Sequence, residues 1–80
     1  SMSLGYSTRL IKLNKQANSK LLGVRLGRTC IKNDVSVHKV SKVLGVSRQT
    51  VYNWFTGASN PQNLVAEAVE RLLNDISHLK

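Results

Sequence analysis

Acidic residues are scarce in this chain: four Asp and Glu stand against twelve Lys and Arg in 80 residues, for a net charge of +8 at neutral pH. The shortage is uneven. Residues 1 to 56 hold ten basic residues and only Asp34 among acids, for +9, whereas residues 57 to 80 sum to −1. So one-sided a half suits a polyanion, because neutralising phosphates releases condensed counterions. Cysteine is limited to Cys30. That excludes an internal disulfide framework, fits a reducing compartment and makes Cys30 a small core residue. With only His38 and His78 as further soft ligands, no zinc site forms at a recognised spacing, so neither a metal nor a cofactor is expected. No apolar run approaches the roughly 20 residues that a membrane crossing takes, and no secretory leader is visible. No nucleophile, base and orienting group are recognisable as one set, which speaks against an enzyme with a small-molecule substrate. There is no internal repeat and no low-complexity tract, and the length suits one small core.

What is present is concentrated between Val37 and Thr56, VHKVSKVLGVSRQTVYNWFT. Val40 and Leu44, four apart, share one face of a first helix, and Val51 and Trp54, three apart, share one face of a second. Between them Gly45 allows the chain to leave a helix at positive φ, which costs any residue with a β-carbon. Val46 plugs the corner, Ser47 is an N-cap for a helix starting at Arg48, and Ser41 is small where the two helices cross closest. These eight positions answer distinct steric demands, and together they predict a helix-turn-helix.

Around that unit the chain divides into a basic N-terminal arm, residues 1 to 18, and a domain over residues 19 to 80. In the arm, Tyr6, Leu10, Leu13 and Ala17 recur at helical spacing, while Thr8 to Leu13 also alternate like a short strand, so its structure stays open. Arg9, Lys12 and Lys15 suit either a phosphate backbone or a solvated tail. Ser19 is the expected N-cap of a helix reaching about Lys32, with Leu22, Leu26, Cys30 and Ile31 as its apolar stripe. Gly23 and Gly27 on that helix permit a neighbour's backbone to come close. Asn33-Asp34 supplies a turn and Ser36 the N-cap of the helix Val37 to Leu44. Gly57 ends the helix Arg48 to Phe55, and Asn60-Pro61 opens a last helix to about His78, with Val65, Ala68, Val69, Leu72, Ile76 and Leu79 along one stripe. The expected fold is all-α, a compact bundle of four to five helices.

With Val51 and Trp54 turned inward, Arg48, Gln49, Tyr52 and Asn53 face outward. Gln49 and Asn53 match adenine's N6/N7 edge, Arg48 can fork onto guanine O6/N7, and Tyr52 suits a thymine methyl or a phosphate. Backbone contacts to DNA are expected at helix starts and in the loop that follows: Ser36, the Val37 amide, His38 and Lys39; Ser47 and Thr50; Thr56, Ser59 and Asn60. Arg25, Arg28, Lys32 and Lys42 extend the basic field. Trp54 and Phe55 read as core.

The stretch VHKVSKVLGVSRQTVYNW, the TGASNP after it and the amphipathic LVAEAVERLL resemble the Cro and phage-repressor type of helix-turn-helix, over roughly Ser19 to Leu73. The resemblance implies a lambda-repressor-like fold and a homodimer on a palindromic operator, controlling transcription in the cytoplasm of a bacterium or phage-infected cell. By position, Arg48, Gln49, Tyr52 and Asn53 match that family's base-contacting residues, and Ser36, Thr56 and Asn60 its backbone-contacting ones; Val37 stands where glutamine is frequent. GVSRQTVYNW is also similar to the DNA-binding end of resolvases and invertases. Two other partners stay open. The basic face also suits a small phage-type protein that binds a host protein such as RNA polymerase. RNA fits less well, since no exposed aromatic platform is evident. A dimer contact is expected from Leu73, Ile76 and Leu79, or from the arm.

Overall fold

Serine hydroxyls open three of the five helices in the computed structural model, which describes residues 6–78. The helices are α1 (Thr8–Gln16), α2 (Leu22–Lys32), α3 (Val37–Leu44), α4 (Arg48–Thr56) and α5 (Asn63–Ser77), and no strand is present among the described residues. Ser7, Ser36 and Ser47 accept from the backbone N–H groups of Leu10, Lys39 and Thr50, satisfying donors that the first helical turn leaves without a partner. Gly45 (φ 69°) and Gly57 (φ 83°) close α3 and α4 in the left-handed region.

Helix α2 touches α1, α4 and α5. Its Leu26 and Cys30 are fully buried with Val40, Val51, Phe55 and Val69, and Trp54, Leu73 and Ile76 complete the core. The close crossing depends on the two glycines of α2. A Cβ at Gly23 would stand 2.7 Å from the Trp54 Cβ and 2.8 Å from its carbonyl oxygen. At Gly27 it would stand 2.6 Å from Asn14 Nδ2 and 2.8 Å from the Phe55 ring. The missing side chains are what let α4 lie directly on α2.

The segment whose structure the sequence left open is helical over Thr8–Gln16 and packed on the core; residues 1–5 lie outside the described residues. Tyr6 and Leu10 are buried, but the next buried position is Asn14, and Leu13 is exposed. Asn14 Nδ2 donates to the carbonyls of Phe55 (2.7 Å) and Val24 (3.2 Å), tying α1 to the last turn of α4. The Tyr6 hydroxyl donates to the Val35 carbonyl. Arg28, expected in the outward basic field, is instead half-buried: its guanidinium donates to the carbonyls of Lys15 (3.0 Å), Asn14 and Ala17 (3.4 Å each), a cation at the C-terminal end of α1 where the helix dipole favours one.

Two helix starts differ from expectation. Ser19 does not cap α2, because Asn18 folds the chain first: its Oδ1 accepts from Lys20 N–H and its carbonyl from Leu21 N–H, so the helix begins at Leu22. Asn60 does not cap α5, because its Oδ1 accepts from Gly23 N–H at 2.9 Å and so serves the start of α2; α5 begins at Asn63, after buried Pro61. Leu73 and Ile76, expected at a dimer contact, are spent on this chain's own core, and Leu79 lies outside the described residues. Among the described residues no helix is long and apolar enough to cross a membrane.

Candidate nucleic-acid interface

The outward face of α4 is set by what its inward face buries. Val51, Trp54 and Phe55 are in the core, against Val40 and Ser41 of α3 and the glycine face of α2, so the helix cannot rotate without exposing an indole. Within α3 the Ser41 hydroxyl donates to the His38 carbonyl at 2.8 Å, so this buried hydroxyl is satisfied by its own helix. Arg48, Gln49 and Tyr52 are consequently exposed and Asn53 is half-buried. Gln49 Nε2 donates to Asn53 Oδ1 at 3.0 Å. The two amides, one turn apart, are thereby joined, and the pair keeps an acceptor, Gln49 Oε1, and a donor, Asn53 Nδ2, for a further partner.

Both ends of α4 are closed by short-range bonds. At its start the Ser47 and Thr50 hydroxyls are 2.9 Å apart while Ser47 accepts from Thr50 N–H. At its end Thr56 Oγ1 donates to the Tyr52 carbonyl at 3.0 Å, and Ser59 N–H donates to the Asn53 carbonyl at 3.2 Å, folding the exposed Ser59 back beside the helix. Asn60 sits one residue further on, but its side-chain oxygen Oδ1 already accepts from Gly23 N–H.

Helix α3 has two unlike flanks. His38 and Lys42, with Ser47 and Arg48, line a shallow concavity beside the first turn of α4. Lys42 was legible only as part of the general basic field; its spacing of four from His38 is the signal that places both on one ridge. Lys39, expected beside His38 at a DNA backbone, lies on the other flank with Val43, facing Leu72 and Asp75 of α5 across a groove. Val37 is buried at 6% exposure, so its side chain belongs to the core and only its amide can serve a phosphate. Ser36 is exposed at the same helix start.

No acid occurs between Asp34 and Glu67, so neither α3 nor α4 carries a carboxylate of its own. Burial pushes the Cys30 thiol up to about 12, which keeps it a neutral core group, and burial likewise raises the Tyr6 phenol, with the Cys30, Tyr52 and Asp34 charges adding to the effect. Among the described residues no cluster of three or more His, Cys, Asp or Glu side chains is placed to hold a metal. The surface offers hydrogen-bond donors, amide acceptors and positive charge.

A sequence-family model described as helix-turn-helix matches residues 24–79, which takes in α3, α4 and α5 and most of α2 and leaves α1 outside. No curated protein and no solved structure matches the chain. With seven-tenths of its length covered, the chain belongs to the Cro and repressor type of helix-turn-helix family, a family of DNA-binding regulators of transcription.

Proposed function

We propose that this protein reads a specific sequence of double-stranded DNA, with α4 as the recognition helix in the major groove, and that it regulates a phage or bacterial promoter as a homodimer. The observation that carries the reading is the Gln49–Asn53 bond. Held together, the pair offers one acceptor and one donor, the complement of adenine's N6–H and N7, while Arg48 suits guanine O6/N7 and Tyr52 a thymine methyl. His38, Lys42, Ser47 and Thr50, with the Ser36 end of α3, take phosphates beside the first turn of α4, and Thr56 and Ser59 take them beside its last turn.

Selection of bound duplexes from a random pool tests this. A preferred sequence should be bound at least about a thousandfold more tightly than random duplex. In Gln49→Ala the preference for the selected base should fall by about 1–3 kcal/mol while binding to random duplex changes little. Equal binding to every sequence would leave a generic polycation and overturn the proposal.

A further inference from the structure

Between α1 and α2 lies a groove of about 400 Å³, within the range of about 300–1,000 Å³ that small-molecule sites occupy. Ile11 and Ile31, both half-buried, are its apolar lining, and Lys15, Arg28 and Lys32 stand around them beside buried Asn14. No acid lines it, and among the described residues neither lysine is in an ion pair. Arg28 is incompletely used. Its Nη2 makes all three bonds to the end of α1, Nη1 makes none among the described residues, and Nε is buried without a partner. A buried N–H left unpaired is rare in a folded protein, because it has lost its bond to water and gained no other. One wall of the groove, α1, lies outside the stretch that the family model matches, so the groove is no part of the shared helix-turn-helix.

We propose that this groove binds a small organic carboxylate with an apolar tail. Three cations gathered with no carboxylate among them repel one another, and an anion between them offsets that repulsion. A carboxylate suits the donors that are left over, since its two oxygens accept from several N–H groups at once and Arg28 Nη1 and both ammonium groups have theirs to give. The tail has a place of its own. An apolar chain covers Ile11 and Ile31, which an inorganic ion would leave in water. Duplex DNA is a poorer occupant for the same reason, because its phosphates answer the cations and not the isoleucines. No residue of α3 or α4 lines the groove, so its ligand does not compete for the recognition face, and the inference does not depend on the proposed function.

Amide NMR shifts of the full chain titrated with octanoate at constant ionic strength test this. Octanoate should bind with a dissociation constant of about 1 mM, a strength within reach of about ten heavy atoms, and the shifts should centre on Ile11, Lys15, Arg28 and Lys32. Acetate and inorganic phosphate lack the tail and octanol lacks the charge, so each should bind at least about tenfold more weakly. Lys15→Gln combined with Lys32→Gln alters two exposed positions and should weaken octanoate at least about fivefold, with circular dichroism to confirm the fold. No binding by about 10 mM, shifts spread equally over α3 and α4, a control that binds as tightly as octanoate, or indifference to the lysine pair would each overturn the proposal. DNA is the remaining alternative. The same pair should leave the salt slope of DNA affinity unchanged; a fall of about two in that slope would assign both lysines to phosphates and overturn the proposal as well.

Discussion

Asn14 is a polar side chain at 1% exposure, and its amide nitrogen donates to main-chain carbonyls of two other helices. Replacing it with Leu keeps most of the volume but leaves the Phe55 carbonyl, in the last turn of α4, without this donor. The expected loss is about 1–3 kcal/mol in urea unfolding, and Asn14→Asp should lose more at neutral pH, because a carboxylate cannot donate to a carbonyl. Cys30 makes the opposite kind of contribution, through being neutral. Its folded value of about 12 lies above the ordinary 9.0, so the stability it contributes is complete below pH 9.0 and declines as the unfolded thiol ionises between there and about pH 12. The slope is about 1.4 kcal/mol per pH unit for one such group. Tyr6, also raised by burial, adds a loss of the same sign above its ordinary 10.0. Thermal midpoints from about pH 8 to about pH 11 should therefore fall, less steeply in Cys30→Ala. Cys30 was legible as core from its place in an apolar stripe and is buried there, whereas nothing along the chain singles out Asn14, because sequence cannot show that two carbonyls wait opposite it.

At the scale of elements, glycine separates local from tertiary causes. Gly45 has φ 69° with open space where a Cβ would go, so Gly45→Ala should cost only the conformational penalty, about 1 kcal/mol. Gly27 has an ordinary helical backbone, and a Cβ there meets Asn14 and Phe55 below 3 Å, so Gly27→Ala should cost several kcal/mol by forcing α1 and α4 off α2. Chemical denaturation of the two variants checks the order. The same division governs the caps. Ser36, Ser47, Gly45 and Gly57 act within a few residues of themselves, and the ends of α3 and the start of α4 were legible because of it. Asn60 was read as a local cap and serves α2 instead, 37 residues away, a partnership no window along the chain contains.

For the molecule as a whole, charge is segregated by element: nine of the twelve Lys and Arg lie on α1 to α4, and three of the four acids fall on α5. DNA affinity should consequently fall steeply with salt, by about 0.9 in log K per unit log salt for each phosphate neutralised. Lys42→Ala, on the ridge beside Arg48, should reduce that slope by about one while leaving sequence preference unchanged, as salt titrations on selected and random duplex would show. Arg28→Ala should instead act on stability, since its guanidinium holds the end of α1.

The helix-turn-helix, its glycine corner, its serine caps and the outward arc from Arg48 to Asn53 were determined by sequence alone, because each rests on side-chain periodicity or on a cap reaching three residues along the chain. The tertiary structure decided which outward-looking groups are occupied. It gave Arg28 to α1 and Asn60 to α2, took Leu73 and Ile76 into the core, joined Gln49 to Asn53, and set Lys39 and Lys42 on opposite flanks of one helix. Those outcomes depend on which helix lies against which, and that is fixed by close packing at Gly23 and Gly27, through contacts between residues distant in the chain.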